Sequence, residues 1–551
     1  MARHRVRPFR AQVVLWLALM LAAVPAVPAL AQSATPVASP VAADLRGVRP
    51  APFDATQMGE IDAYAVTAMR RMGVAGASIA VTQDGRVVYA RGFGVRTFGG
   101  SEPVTPDTRF MIGSVTKGMT SLMAATVVDD GLATWDTTLT DLLPGLRLSD
   151  PSLTDRVTLA DSFCACTGLP RDDLPVVLAR YATPAQLVAG MADIAVTAPF
   201  GETFQYSNQM YAVGGYAATT AAGGALDTLQ ADYARAMQDR VLGPIGMADS
   251  TFDLDAVLAS GNYARPTGAD ILGQPQRVPL LADDRFTESV APAGALWSTA
   301  PDMARYLATE MDGGVAPNGT RVVSAENLAR TQAERVVLPP EATQGLPEAV
   351  AAANHGYAMG WVTGSWHGRP MLAHGGGTLG FASQAGMLPD ARLGVVVLTN
   401  GGPNGSLFAT VVQQHVLESL FGLAPELDPV VAALADALQT AADATLGALR
   451  PVDPEAVRPY LGTYHNPRLG DLRLTLDGDT LTLAVGPYRT AVQPLATLPA
   501  NEYVPIDAPL ASPVQPVPFV LRTGADGQPE VSVEMPSETV ATEFVFTRAG
   551  G

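Results

Sequence analysis

Ser114 and Lys117 stand three residues apart, a spacing that puts a hydroxyl and an amine on neighbouring positions of one helical face. A serine hydroxyl attacks a carbonyl carbon only when a nearby base takes its proton. A lysine of depressed proton affinity can be that base, as can a tyrosine held as phenolate by the lysine. Two further segments carry matching residue types. Tyr206-Ser207-Asn208 offers a phenol and a side-chain amide, and His374-Gly375-Gly376-Gly377 an imidazole beside backbone bare enough for close approach. Together they read as a serine acyl-transfer site. Singly, each has an ordinary reading. Ser-x-x-Lys recurs by chance, Tyr206 suits a half-buried position, Asn208 a helix cap, and His374 a loop beside a Gly-rich turn. Their joint occurrence is what points to chemistry.

The elements that must position these residues follow from periodicity. Met119, Leu122, Met123, Thr126 and Val127 repeat at helical spacing, which predicts a helix burying one face and stopping at Gly131. Ser114 then lies at a helix N-terminus, where the dipole and free backbone N–H groups favour an oxyanion. Ahead of it, Ile61 to Met72 has helical spacing, and Ala77–Thr82 and Arg86–Arg91 flank Asp84-Gly85, a hairpin signal. Residues 139 to about 300 read as helices and loops. Strands return at Phe381–Leu388 and Leu393–Asn400 around Pro389-Asp390, and Phe408–Phe421 reads as a closing helix. The expected architecture is α+β: one antiparallel sheet built from both ends of a domain and flanked by helices, an all-helical lobe beside it, and the site between them. Pro429–Leu449 reads as an Ala-rich helical linker. Beyond it, Leu472, Leu474 and Leu476, then Leu481, Leu483 and Val485, alternate with polar residues around Asp477-Gly478, the pattern of a small all-β domain.

Composition bounds the class. Of 551 residues, 48% are hydrophobic and 16% charged, which excludes a largely disordered chain. Met1–Arg10 holds four arginines, Val13–Val24 is apolar, and Ala29-Leu30-Ala31 is a small-x-small cleavage signal, together the pattern of a secretory signal peptide. Its removal takes the net charge from −18 to −22, four arginines fewer, a charge that repels nucleic acid and anionic lipid. No later stretch reads as a transmembrane span. Cys164 and Cys166 are the two cysteines. One intervening residue allows only a small strained ring, so they are expected as buried small side chains, with a redox-active pair as the alternative. The six histidines lack ligand spacing, so neither metal nor other cofactor is expected.

The motifs together resemble the serine β-lactamase and penicillin-binding protein superfamily, and more narrowly its class C β-lactamase-related branch of carboxypeptidases, aminopeptidases and esterases. The matching segments are Phe110–Lys117, Thr167-Gly168-Leu169-Pro170, Gly201–Asn208, Ala293–Thr299 and His374–Gly377, in family order across residues 53–424. The tail opening Tyr460-Leu461-Gly462-Thr463-Tyr464 is similar to the lipocalin-like β-barrel appended to such enzymes. The resemblance implies a β-lactamase/transpeptidase-like fold with a C-terminal barrel. The implied division is a signal peptide at 1–31, a flexible segment at 32–52, a hydrolase domain at 53–424, a linker at 425–453 and a barrel domain at 454–551. By the same resemblance Ser114 is the nucleophile, Lys117 and Tyr206 the general base and proton relay, and Asn208 orients Lys117 and donates to substrate. His374, Gly375, Gly376 and Gly377 line the substrate strand, the backbone N–H groups of Ser114 and Gly377 forming the oxyanion hole.

Two departures stand out. Penicillin-hydrolysing members place Lys-Thr-Gly where this chain has His374. A histidine partly charged near pH 7 favours a less anionic substrate than a β-lactam. The stretch before Gly168 is Phe163-Cys164-Ala165-Cys166-Thr167 rather than the usual His or Ser-Gly, which puts the local loop in question. The expected function is an exported serine hydrolase acting through an acyl-enzyme on an amide or ester, its partner a small-molecule or peptide substrate, with cell-wall peptides among the candidates. The alternative is a protein that binds penicillin or cell-wall peptides without turnover. The oligomeric state is left open.

Overall fold

Asp84 and Gly85 both adopt positive φ (53° and 78°), the conformation a two-residue hairpin turn requires. They join Gly76–Gln83 to Arg86–Gly94 with Gln83 opposite Arg86. The first of these strands also pairs with Leu393–Thr399, from the far end of the domain, placing Ile79 opposite Val397 and Ala80 opposite Val396. Sheet order is Arg86–Gly94, Gly76–Gln83, Leu393–Thr399, Ala382–Leu388, Arg369–Gly377, Val362–Trp366, Gly356–Tyr357 and Val336–Val337, antiparallel throughout. Alternation along the strands divides the core. Ile79, Val81, Val395 and Val397 pack with the helices Ala55–Met72 and Gly402–Phe421 on one face. Ala80, Val396 and Leu398 face the Ala300–Met311 helix and the helical lobe on the other. The computed structural model describes residues 44–178, 183–278, 288–343, 348–513, 516–535 and 542–549. The leader and most of the flexible N-terminal segment lie outside them. Among the described residues no helix is long and apolar enough to cross a membrane.

Helices start where their caps allow. Asp54 and Gln57 form a reciprocal capping box, so the first helix begins at Ala55, a turn and a half ahead of the expected Ile61. The closing helix begins at Gly402 rather than Phe408. The helix carrying the serine motif departs most from expectation. Thr116–Asp129 is buried on every side through Val127, not along one face. Small residues make this possible. A Cβ at Gly118 would fall 2.5 Å from Tyr306 Oη, and a Cβ at Gly360 would fall 2.6 Å from the Gly118 nitrogen, so neighbouring elements close on the helix from all directions.

The Asp428–Ala448 helix leads to a closed eight-stranded antiparallel barrel running from Gly462 to Arg548. Leu472, Leu474, Leu481, Leu483 and Val485 point inward, as their alternation predicts, and Tyr464, Phe519, Phe544 and Phe546 complete the interior. Eight strands enclose just enough space for such side chains.

Candidate active site

Ser114 lies in a single 3-10 turn, Gly113–Val115, which runs into the Thr116–Asp129 helix. Gly113 takes φ 55°. A Cβ there would come within 2.7 Å of the Gly377 nitrogen, so the serine turn and the end of the Arg369–Gly377 strand touch backbone to backbone. Ser383 Oγ ties the same turn down by donating to the Ile112 carbonyl at 2.6 Å. At Gly376 a Cβ would lie 2.0 Å from that carbonyl, whereas at Gly377 it would meet nothing within 4 Å. The first glycine is a packing requirement and the second borders open space. The Gly377 amide is thereby set beside the turn that carries Ser114.

Lys117 is 1% exposed and Ser114 7%. Nζ lies 3.0 Å from Ser114 Oγ, 2.7 Å from Asn208 Oδ1 and 2.7 Å from the Ala293 carbonyl oxygen. Burial drives its proton affinity well below that of a free lysine, outweighing the Asp173 carboxylate, which raises it, while the Arg171 cation lowers it further. Two of the three neighbours only accept hydrogen bonds, and the third is a hydroxyl that can donate. A neutral amine therefore spends its two N–H groups on Asn208 and Ala293 and turns its lone pair toward the serine.

Each ligand of Lys117 is placed by its own element. Ala293 sits in the short Ala291–Gly294 helix, just before the Trp297–Ser298 strand that pairs with Phe110–Met111. Asn208 is the first residue of the Asn208–Ala221 helix. Ser207, not Asn208, is its cap, accepting from the Met210 N–H. That frees the Asn208 side chain, whose Nδ2 donates to Asp173 Oδ1 at 2.8 Å. Arg171 Nε pairs with the other Asp173 oxygen at 2.5 Å, and its guanidinium lies 5.4 Å from the Tyr206 ring centroid. Lys117 Nζ is 4.8 Å from the same centroid.

His374 is buried behind Tyr206, their ring centroids 6.2 Å apart. Burial, and then Lys117 whenever that amine carries its proton, push its pKa down to about 3, against the opposing bond to Gly375. It is thus held neutral, not partly charged as its residue type implies, because burial takes away the hydration a charged imidazole needs. Nδ1 lies 2.6 Å from the Gly375 carbonyl, an obligate acceptor, which assigns the proton to Nδ1. Nε2 then accepts from Tyr357 Oη at 3.1 Å. Cys164 and Cys166 flank this cluster and are joined in a disulfide, where the sequence favoured unbonded buried side chains and kept a redox-active pair as the alternative. Ala165 takes φ 53°, which folds the chain back until the two Cα atoms are 5.2 Å apart, within bonding reach. The bonded turn holds the tyrosine segment, since the Ala165 carbonyl accepts from the Gln205 N–H at 2.7 Å.

Ser114, Lys117, Tyr206, Asn208, His374 and the three glycines are therefore gathered in one region, with His374 as a buried support rather than a lining charge. Sequence reasoning missed Asp173, Arg171, Tyr357 and the role of the Ala293 carbonyl. The run Arg171-Asp172-Asp173, charged amid apolar residues just after Gly168-Leu169-Pro170, was a signal for the first two. Ala293 lay inside a matching motif, but residue type says nothing of a backbone role.

The beta-lactamase family model matches residues 61–416. Penicillin-binding protein 4 of Amycolatopsis lactamdurans is 28% identical over 400 residues, spanning 71% of this chain and 93% of its own. The unguisins hydrolase ungD' of Aspergillus campestris is 24% identical over 502 residues, 87% of this chain and 90% of its own. Among solved structures, the octameric penicillin-binding protein homologue from Pyrococcus abyssi superposes with a TM-score of 0.58 at 21% identity, covering 89% of this chain and 100% of that one. At that identity the likeness is one of fold.

Proposed function

We propose, from the premise that this chain belongs to the beta-lactamase family, that it is an exported serine hydrolase cleaving an amide or ester through an acyl-enzyme on Ser114. The observation that carries the reading is the Lys117 amine, 3.0 Å from Ser114 Oγ and otherwise surrounded by acceptors. In the reaction, Oγ bonds to the substrate carbonyl carbon as its proton passes to Lys117 Nζ. The carbonyl oxygen takes the negative charge and receives the Ser114 and Gly377 N–H groups. Losing one such donor typically removes ~3 kcal/mol of transition-state stabilisation. Lys117, now an ammonium in a desolvated site, returns the proton by way of Tyr206 to the departing nitrogen or oxygen, and the carbon–leaving-group bond breaks. Water then attacks the ester, giving its proton back along the same route, and Ser114 is released.

The charges around the serine favour a substrate without a required carboxylate. Arg171 is paired with Asp173, His374 is neutral, and Lys117 is held toward its uncharged form. This supports amide or ester cleavage over efficient β-lactam turnover. Export rests on the N-terminal sequence alone.

Intact-mass measurement tests the reading. The mature protein is incubated with p-nitrophenyl acetate and, separately, with a β-lactam, beside Ser114→Ala. The expected result is a Ser114-dependent acyl adduct with the ester that turns over, and a slower or longer-lived adduct with the β-lactam. Folded protein that shows neither adduct, and no fluorophosphonate labelling, refutes the acyl-enzyme and favours binding without turnover.

A further inference from the structure

Asp173 stands behind the lysine rather than beside the serine. Its Oδ1 accepts from Asn208 Nδ2 at 2.8 Å while Asn208 Oδ1 accepts from Lys117 Nζ at 2.7 Å. Rotating that amide by half a turn would set its oxygen against a carboxylate and its NH2 against the amine, losing both bonds. A carboxylate at 173 therefore fixes which way Asn208 points.

The segment bearing Asp173 is held from the barrel. The buried Asp172 carboxylate pairs with Arg468, in the turn between the barrel strands Gly462–Asn466 and Gly470–Asp477. The Arg468 guanidinium lies 5.4 Å from the centroid of the Phe544 ring. Asn466 pins this turn: its Oδ1 accepts from the N–H groups of Arg468 and Leu469 at 2.8 and 2.9 Å, and its Nδ2 donates to the Val545 carbonyl at 2.8 Å. On the other side, the Asp172 carbonyl accepts from Gln209 Nε2, next to Asn208 in sequence. A few residues on, Leu174, Val177 and Leu178 join the barrel core. A Cβ on Gly486 would come within 3.1 Å of the Leu178 carbonyl, so the barrel backbone lies directly on this segment. Leu379, two residues past Gly377, packs against the same core. The barrel thus contacts the chain at two places, the segment around Asp172–Leu178 and the stretch just past Gly377, while its own side chains fill its interior.

We propose that the C-terminal barrel is a positioning element of the active site: Arg468 and the barrel contacts of Leu174–Leu178 hold the segment whose Asp173 orients Asn208 and, through it, Lys117. Asp173, Asp172 and Arg468 are positioning residues and none touches the reacting atoms. The assignment rests on the acyl-enzyme reading above.

The test is the single-turnover rate of Ser114 acylation by p-nitrophenyl acetate in the full-length protein, with KM and Tm measured alongside. Arg468→Gln is expected to slow acylation tenfold or more with KM within threefold of wild type, and Arg468→Lys to recover part of the loss. Asp172→Asn combined with Arg468→Gln removes both charges without burying either unpaired. It is expected to melt near wild type and to acylate no more slowly than the worse single variant, the mark of coupled residues. Should Arg468→Gln fail to fold, this double variant decides. Folded variants acylating within twofold of wild type overturn the proposal. Wild-type protein that forms no Ser114 adduct overturns the hydrolase reading and the positioning role with it.

Discussion

Where the open sheet meets the helical lobe, this chain buries an amine, an imidazole, carboxylates and phenols; inside the closed barrel it buries leucines, valines and aromatic rings. Lys117 is as inaccessible as Leu474 or Phe546. The first region loses hydration for each charged or polar group and recovers it through directed bonds such as those of Lys117, Asn208 and His374. The second needs only shape and apolar area. Stability and chemistry are therefore divided between the regions. The polar one gains reactivity from the desolvation that weakens the fold, and the barrel stands as a separate apolar store that also clamps a site segment.

The comparison breaks most decisively at Lys117. Lys117→Met keeps the length and removes the proposed base, so Ser114 acylation is expected to fall ~10³-fold or more, the upper reach of general-base loss. Melting temperature should hold or rise, since a buried amine has become apolar. Calorimetry beside burst kinetics reads both, and acylation within tenfold of wild type would place the base elsewhere.

The barrel should answer the opposite way. Leu483→Ala removes a fully buried side chain from its interior and is expected to lower stability by about 2–5 kcal/mol. Acylation by the protein that remains folded should stay within twofold, because Leu483 is an apolar interior side chain and the polar contacts of Asp172 and Asp173 run through Arg468, Arg171 and Asn208. A large rate loss at unchanged stability would contradict the division.

Solution pH should act on buried carboxyls on both faces of the sheet, Glu310 on the lobe side and Glu418 in the Gly402–Phe421 helix. Burial raises the Glu310 carboxyl to about 7, and Glu418 likewise to about 7, from the ordinary 4.5 of a glutamate. The folded chain keeps these protons in a window where the unfolded chain has released them. It therefore binds more protons between about 4.5 and 7, and stability falls as pH rises through that window. Glu310→Gln should flatten this fall and stabilise the protein at pH 8 by roughly 1–3 kcal/mol, with little effect at pH 4. Denaturant melts across pH check it, and equal pH dependence in variant and wild type would refute the assignment.

The smallest expected effect is the most local. Gly376→Ala forces a Cβ onto the Ile112 carbonyl, whereas Gly377→Ala meets open space. Activity should fall about tenfold in the first, ~1.4 kcal/mol, and stay within threefold in the second, by steady-state ester hydrolysis. Equal losses would mean that the strand end is shaped by substrate access rather than by contact with the serine turn.

Much of this arrangement was legible in short stretches of chain. The Asp84-Gly85 turn, the alternation of Leu472, Leu474, Leu481 and Leu483, and the i, i+3 relation of Ser114 and Lys117 depend on neighbours a few residues away, where backbone geometry converts spacing directly into direction. The disulfide was not legible, because the φ of one residue, Ala165, decides whether two nearby thiols can meet. Nor was the all-round burial of the Thr116–Asp129 helix. Its small residues read as neutral until Tyr306, Trp361 and Gly360 pack against them.

By itself, then, the sequence determined which groups this protein has for the proposed acyl transfer, which of them share a helical turn, and where strands and turns fall. Only the tertiary structure decided what those groups are. Lys117 is held toward its uncharged amine, and His374 is a neutral imidazole, by burial among segments that are distant in the chain. Asn208 has a single orientation because Asp173, 35 residues earlier, accepts from its amide. Ala293, 176 residues from Lys117, matters only through a carbonyl. Charge state and hydrogen-bond direction follow from which surfaces exclude water and which dipoles meet, and both are set by the packing of remote segments rather than by the order of residues along the chain.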